Sequence, residues 1–147
     1  MHQKGHDPIQ RGITLVELMI AIAILSILAG IAIPLYNGYV TEGHMASMRT
    51  TLNGLRTPLE DYRLENGNYG TVTDLVGIAN ITGRFDWDPS GDSRAYEYTV
   101  SVTGTNSYDV WGIFQANTGI WVRCEDRFSE CCDSEIAGSS TPDAACP

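Results

Sequence analysis

The most constraining feature of this sequence is an almost uncharged stretch near its N-terminus, residues 13–36, in which only Glu17 carries a charge. A helix needs about 20 apolar residues to cross a bilayer, so these 24 residues predict a membrane-length helix. A carboxylate inside hydrocarbon is costly unless it is paired, which marks Glu17 as a functional residue that needs a partner. Cleavage between Gly12 and Ile13 would place a new α-amino group one helical turn away, and a neighbouring chain's amine would serve equally well.

The residues around this stretch carry a family resemblance. The segments RGITLVEL (residues 11–18) and PLYNGY (residues 34–39) closely resemble the corresponding parts of type IV pilins. The resemblance implies that a prepilin peptidase cleaves after Gly12, that Ile13 becomes the methylated N-terminus, and that Glu17 drives assembly. The family most often has Phe at the position of Ile13, and this leader of 12 residues is longer than the shortest pilin leaders.

Two other interpretations of the N-terminus remain open at this point. One is an ordinary single-span membrane anchor in which Glu17 reaches the lipid headgroups, although an anchor does not require the Gly12-to-Glu17 spacing. The other is a secretory signal peptide cut near Ala32. It fits less well, because Glu17 would interrupt the apolar region and the helical pattern continues beyond that cut.

Charge and length predict the orientation and the domains. Lys4 and Arg11 precede the span, so the positive-inside rule favours a cytoplasmic N-terminus with the rest of the chain outside. The predicted division is a leader (1–12), a transmembrane and assembly helix (13–36) and a periplasmic or extracellular head (37–147). The net charge of −9 repels phosphate backbones, which makes nucleic acid an unlikely partner.

Helical periodicity continues beyond the apolar stretch. Apolar residues recur at spacings of three and four, which is typical of a helix that packs on a core: Met45, Met48, Leu52, Leu55, Leu59 and Tyr62. The sequence therefore predicts one long helix over residues 13–65, ended by Asn66-Gly67. Pro34 and Pro58 each remove a backbone hydrogen bond, so a bend is expected at both. The pilin resemblance further implies that the segment around Pro34 loses helicity in assembled filaments.

After an irregular region the period changes to two. Residues 97–103, 108–116 and 120–124 predict three strands joined by short turns, that is, an antiparallel meander. The Met and Leu stripe would cover its apolar face, with Leu52, Leu55, Val100 and Trp111 in the core. The predicted fold class is therefore α+β, with a long N-terminal helix packed on a small antiparallel sheet.

One acidic loop has the spacing of a calcium site. Oxygen-bearing side chains at alternating positions, a glycine and a closing carboxylate match a loop of the EF-hand type. Pro89 and Arg94 depart from that pattern, and the alternative is an acidic turn leading into the first strand. Related pseudopilins of type II secretion bind calcium in this general region. The predicted ligands are Asp86, Asp88, Ser90, Asp92 and Glu97.

The four cysteines all lie in the last 24 residues: Cys124, Cys131, Cys132 and Cys146. An even number in an exported domain predicts two disulfides. Adjacent cysteines strain the preferred disulfide geometry, so we expect Cys124 to pair with Cys131 or Cys132, and Cys146 with the other. A disulfide-bounded C-terminal loop is typical of pilins. Residues 128–147 have few large apolar side chains, so their order is expected to depend on these bridges.

No catalytic set is apparent, since no histidine follows His44, and an enzyme is not expected. The resemblance instead implies a structural subunit of a type IV pilus. Its expected partners are other pilin subunits in a homopolymer or mixed filament, prepilin peptidase, the inner-membrane assembly machinery and, before assembly, the membrane itself. The alternatives are a type II secretion pseudopilin with a calcium-binding loop and a membrane-anchored binding module.

Overall fold

A single long helix, α1, begins the structured part of the chain. The computed structural model describes residues 12–89, 95–126 and 131–142. Within it α1 runs over Leu15–Asn66, close to the predicted 13–65. Gly67 ends the helix in the left-handed conformation (φ 79°), and its N–H donates to the Arg63 carbonyl at 2.7 Å. Glycine adopts this conformation without a steric penalty, which is why the helix ends at this residue.

The chain divides into two compact units after Tyr39. In the first unit the large apolar side chains of α1 are exposed, from Tyr39 at 77 % to Ile24 at 53 %. In the second unit one face of α1 is buried. The buried residues of α1 are the predicted stripe apart from Tyr62, which is half-buried: Met45, Met48, Leu52, Leu55 and Leu59.

The head contains one antiparallel sheet whose strands follow chain order. The strands are β1 (Leu75–Val76), β2 (Tyr96–Gly104), β3 (Ser107–Phe114), β4 (Trp121–Glu125) and β5 (Cys132–Asp133). Two shorter helices are α2 (Ile78–Phe85) and α3 (Ser134–Ala137). The predicted three-strand meander is β2–β4, so the α+β class is confirmed, and a two-residue strand extends the sheet at each edge. The sequence analysis did not predict α2, α3 or β5.

Alternation along β2 and β3 decides which side chains form the core. Tyr98 pairs with Gly112 and Val100 with Val110, and these positions face the buried stripe of α1. Trp111 therefore lies on the opposite face, where it is only half-buried. The prediction that Trp111 belongs to the core was wrong. Trp87, which lies between α2 and β2, packs edge-on against the ring of Tyr98 instead (centroids 5.4 Å apart).

The C-terminal segment covers part of the outer face of the sheet. On β4, Val122 faces the core, so Trp121 and Arg123 face outward. Trp121 is nevertheless fully buried, and its indole N–H donates to the Ser139 carbonyl at 2.9 Å. Arg123 donates to the Pro142 carbonyl at 3.0 Å and pairs with Asp109 at 3.1 Å. Residues 139–142 are thus held against the sheet by side chains of β4.

Candidate assembly site at the start of the long helix

Thr14 and Glu17 cap the first turn of α1 reciprocally. The Thr14 backbone N–H and hydroxyl both donate to Glu17 Oε2 at 3.3 Å, and the Glu17 N–H donates to Thr14 Oγ1 at 3.2 Å. This is a capping box, which satisfies backbone donors that have no partner within the helix. The positive end of the helix dipole further favours a carboxylate here. The geometry therefore holds Glu17 in one orientation at the start of the apolar helix.

The predicted cleavage position lies immediately before this box. Gly12 and Ile13 are exposed and outside any helix. The helix begins at Leu15, so the Gly12–Ile13 peptide is not hydrogen-bonded into a helical turn. The sequence analysis assigned Glu17 only an amine partner and missed the role of Thr14. The T-x-x-E pattern of residues 14–17, a signature of capping boxes, could have revealed it.

The surface that follows Glu17 is apolar on all sides. By length and composition α1 could cross a membrane near the N-terminus. Ser26 is a polar side chain in mid-span, and its hydroxyl donates to the Ile22 carbonyl at 2.7 Å. The polar group is thus satisfied within the helix, as lipid requires. Pro34 lies within α1.

The cysteines form the predicted kind of framework. Cys124 on β4 is bonded to Cys131, so the expectation that Cys124 pairs with one member of the adjacent pair is confirmed. Cys132 is also disulfide-bonded, and Cys146 lies outside the described residues. The Cys131 sulfur lies 3.9 Å from Asn53 Oδ1 on α1. The bridge therefore closes the chain before β5 beside the long helix.

The predicted calcium ligands are only partly described. Asp86 ends α2 in the left-handed conformation (φ 52°), and its N–H donates to the Thr82 carbonyl at 2.9 Å. Asp88 and Glu97 are both exposed. Ser90 and Asp92 lie outside the described residues. Among those described, no cluster of three or more His, Cys, Asp or Glu side chains could hold a metal ion. The calcium site stays a prediction.

His44 is the one histidine in the described ranges, and it is used for packing. Its ring stacks on Phe114 with centroids 3.9 Å apart, and its Nδ1 lies 2.9 Å from the Tyr96 hydroxyl. The carboxylates Asp61, Glu65 and Asp86 line an open cleft of about 350 Å³ on the other end of the head. No nucleophile, base and orienting group meet in the part of the chain that the structure describes.

Comparison with known proteins places these features in a family. The family model for the prokaryotic N-terminal methylation motif matches residues 8–33. The type IV major fimbrial protein of Dichelobacter nodosus is 34 % identical over 114 residues, covering 65 % of this chain and 71 % of the relative. The type IV major pilin protein of Neisseria gonorrhoeae is 26 % identical over 147 residues, covering 92 % of this chain and 82 % of the relative.

A third relative shows that the likeness is stronger in part of the chain. A fimbrial protein of Moraxella nonliquefaciens is 40 % identical over 79 residues, covering 52 % of this chain, which in turn spans about half of it (51 %). No solved structure matches the chain. The methylation motif coincides with the capped start of the apolar helix, and the likeness to the Dichelobacter protein extends over most of both chains. The chain belongs to the type IV pilin family.

Proposed function

We propose that this chain is a structural subunit of a type IV pilus filament, cleaved after Gly12 by a prepilin peptidase and methylated at Ile13. The precursor spans the inner membrane with its head in the periplasm. Its partners are further pilin subunits, either identical or mixed, and an inner-membrane assembly machinery. After assembly the head lies on the outside of an extracellular filament. The relatives, which are fimbrial and pilin proteins, support a structural rather than an enzymatic role.

The observation that carries this proposal is the exposed apolar half of α1. No described part of the chain covers its large side chains, which have exposed fractions above 50 % from Leu15 to Leu35. Lipid covers such a surface in the precursor, and neighbouring helices cover it in a filament. The transfer from lipid to protein keeps the side chains out of water, so packing and the pairing of Glu17 decide the geometry.

Glu17 sets the register of the subunits in this proposal. After cleavage, Ile13 carries an α-amino group, and the carboxylate of Glu17 pairs with an amine of the same or a neighbouring chain. Oxygen Oε2 already accepts from Thr14, and Oε1 is the second acceptor of the group. A carboxylate in a low-dielectric surrounding gains much more from an opposite charge than it would in water.

Two substitutions of Glu17 test the proposal. Glu17→Ala removes both the cap and the charge, whereas Glu17→Gln keeps an acceptor for the capping box and removes only the charge. Both variants should fold and remain in the membrane fraction, and both should give few filaments by electron microscopy. Normal filament yield from the Gln variant would show that the charge does not direct assembly, and normal yield from both would refute the proposed role of Glu17.

A further inference from the structure

We propose that Tyr36 and Tyr39 anchor the precursor at the membrane–water interface next to the head, and that they set how deeply α1 sits in the bilayer. The partner of this surface is the headgroup region of a lipid bilayer. The inference rests on the proposed membrane-spanning precursor and extends it from the existence of a span to its position.

The surroundings of the tyrosines set these two apart. The chain has seven tyrosines. Tyr36 and Tyr39 are 68 % and 77 % exposed. The other five are buried or half-buried within the head: Tyr62, Tyr69, Tyr96, Tyr98 and Tyr108. Packing of the head therefore explains five of the seven side chains and leaves Tyr36 and Tyr39 for another partner.

Their place on the helix identifies the chemistry of that partner. The two residues are three apart, so their rings lie on the same side of α1. The residues that precede them, as far back as Leu18, are apolar apart from Ser26, and the polar residues Thr41 and Glu42 follow. A tyrosine ring has an apolar body and a hydroxyl that seeks water, which is why tyrosines concentrate where hydrocarbon meets the headgroups.

The length of the span supports the same position. Glu17 and Tyr36 are 19 residues apart, which corresponds to about 28 Å of helix. The hydrocarbon core of a bilayer is about 30 Å thick. When the capped carboxylate of Glu17 lies at one interface, the ring of Tyr36 reaches the opposite one. Tyr39, nearly one further turn along, then lies among the headgroups.

A second copy of the chain would also cover the exposed rings, but it would not require the helix between Glu17 and Tyr36 to match the thickness of the hydrocarbon core. The length of helix between Glu17 and Tyr36 is close to the thickness of the hydrocarbon core. Tyr36 and Tyr39 also lie where the exposed apolar surface of α1 ends. A protein partner selects side chains by shape at any depth. The observed spacing therefore favours lipid as the occupant in the precursor.

The test measures depth directly. A nitroxide label on Ile33→Cys, in the full chain, reports its distance from the bilayer centre through the relative accessibility of oxygen and a water-soluble nickel chelate. The label is selective because, in the described part of the chain, every cysteine is disulfide-bonded. The vesicles contain phosphatidylethanolamine and phosphatidylglycerol, and the parent protein must co-sediment with them.

The decisive comparison is between two double substitutions. Tyr36→Leu with Tyr39→Leu keeps the apolar area and removes the hydroxyls, so the label should move toward the bilayer centre by ~3–5 Å, up to one helical turn. Tyr36→Trp with Tyr39→Trp keeps an amphipathic ring and should restore the parent depth. Leu28→Ala is the control, because it removes a similarly exposed side chain from mid-span and should leave the depth unchanged.

An unchanged depth in the Leu pair overturns the inference. Unchanged depth together with a loss of filaments would assign the two rings to contacts between subunits instead. Failure of the parent protein to insert into vesicles is a different result, since it would refute the proposed membrane-spanning precursor itself.

Discussion

Arg49 on α1 pairs with Asp133 on β5, so the long helix holds the last strand of the sheet. The Asp133 side chain is only 2 % exposed, whereas that of Arg49 is 31 % exposed and also contacts Glu42 at 3.3 Å. Asp133 further accepts the Glu135 N–H at 3.0 Å, which starts α3. The position of β5 and α3 in the head therefore depends on a charge pair as well as on disulfide bonds.

Removing the Arg49 guanidinium should destabilise the head. Arg49→Met takes away the charge that faces the buried Asp133 carboxylate from α1, so the head should lose roughly 2–4 kcal/mol of unfolding free energy. The double variant Arg49→Met with Asp133→Asn should lose less than the sum of the single variants, because the two residues interact. Urea unfolding in detergent, followed by tryptophan fluorescence, measures this. Arg63→Met is the control, since the side chains of its pair with Glu60 are 40 % and 38 % exposed and the pair should matter by less than about 1 kcal/mol.

Gly112 is a site where any side chain should be harmful. A Cβ atom there would lie 2.9 Å from Tyr98 Cε1 and 3.3 Å from Met48 Sδ. Gly112→Ala should therefore destabilise the head by about 1–3 kcal/mol, the usual effect of overpacking. Gly54→Ala provides the contrast, because no atom lies within 4 Å of its Cβ position and alanine favours the helix. If both substitutions changed the free energy of unfolding in the same direction, the close packing of Tyr98 on Gly112 would not be the reason that position 112 requires glycine.

High pH should destabilise the head through its tyrosines. Burial raises the pKa of Tyr69, Tyr98 and Tyr108, and the hydrogen bond that Tyr69 donates to Glu60 at 2.6 Å raises that of Tyr69 further. Unfolded tyrosines ionise near pH 10, so above that pH the unfolded state releases protons that the folded state retains. Stability is thus full below about pH 10 and falls as the pH rises toward the folded pKa values, by up to about 1.4 kcal/mol per pH unit for each tyrosine.

The Tyr69→Phe variant checks this assignment. It should be less stable than the parent at pH 8, because the hydroxyl that bonds Glu60 is gone, and its stability should fall less steeply between pH 10 and pH 11. Urea unfolding at several pH values measures both the stability at pH 8 and its fall between pH 10 and pH 11. An identical slope in parent and variant would mean that Tyr69 does not retain its proton in the folded head.

The long helix and its buried stripe were predictable because a 3.6-residue period over many turns leaves one arrangement that buries Met45 to Leu59. Which face of β3 packs on the core was not predictable, because both of its faces carry large apolar residues. Trp111 and Ile113 suggest one face, and Tyr108 and Val110 the other. The choice depends on Gly112, whose missing side chain accommodates Tyr98 across the strands, and a single sequence does not specify that pairing.

The candidate site was predictable in identity but not in all its contacts. Glu17 stood out because it is the one charge in residues 13–36, whereas the role of Thr14 depends on where the helix begins. The strands β1 and β5 have two residues each, too few to show a period. Asp133 on β5 is buried beside Arg49 of α1, a tertiary pairing that no local pattern indicates.

Calcium binding through Asp86, Asp88, Ser90, Asp92 and Glu97 remains a proposal with a simple test. A cation that binds only the folded head stabilises it by mass action, so calcium should raise its melting temperature. Asp88→Ala should abolish that response, because it removes one of the predicted ligands. Since the Asp88 side chain is exposed and Trp87 next to it stays in the core, the head should still fold. Asp74→Ala removes another exposed carboxylate outside the helices and strands; it is the control and should leave the response intact. If neither calcium nor a chelator changes the melting temperature, the loop does not bind calcium and is only an acidic turn.

Reduction of the disulfides should release the C-terminal segment while the rest of the head stays folded. The segment around residues 134–142 is otherwise held by the bonds from Trp121 to Ser139 and from Arg123 to Pro142. Each such hydrogen bond contributes about 1 kcal/mol net, whereas ordering the backbone costs about 1–2 kcal/mol per residue. Without the bridges the balance for these residues is unfavourable, while α1 and β2–β4 keep their own core.

Limited proteolysis with a glutamate-specific protease measures the release, because Glu135 is exposed and lies within the segment. Cleavage there should accelerate on reduction, and fluorescence of Trp121 should shift to the red as its cover leaves. The Cys124→Ser, Cys131→Ser double variant should show part of this effect without reductant, since it lacks the bridge that closes the chain before β5. Equal protection in both redox states would mean that Trp121, Arg123 and the Asp133 pair hold the segment by themselves, and the dependence on the bridges would be wrong.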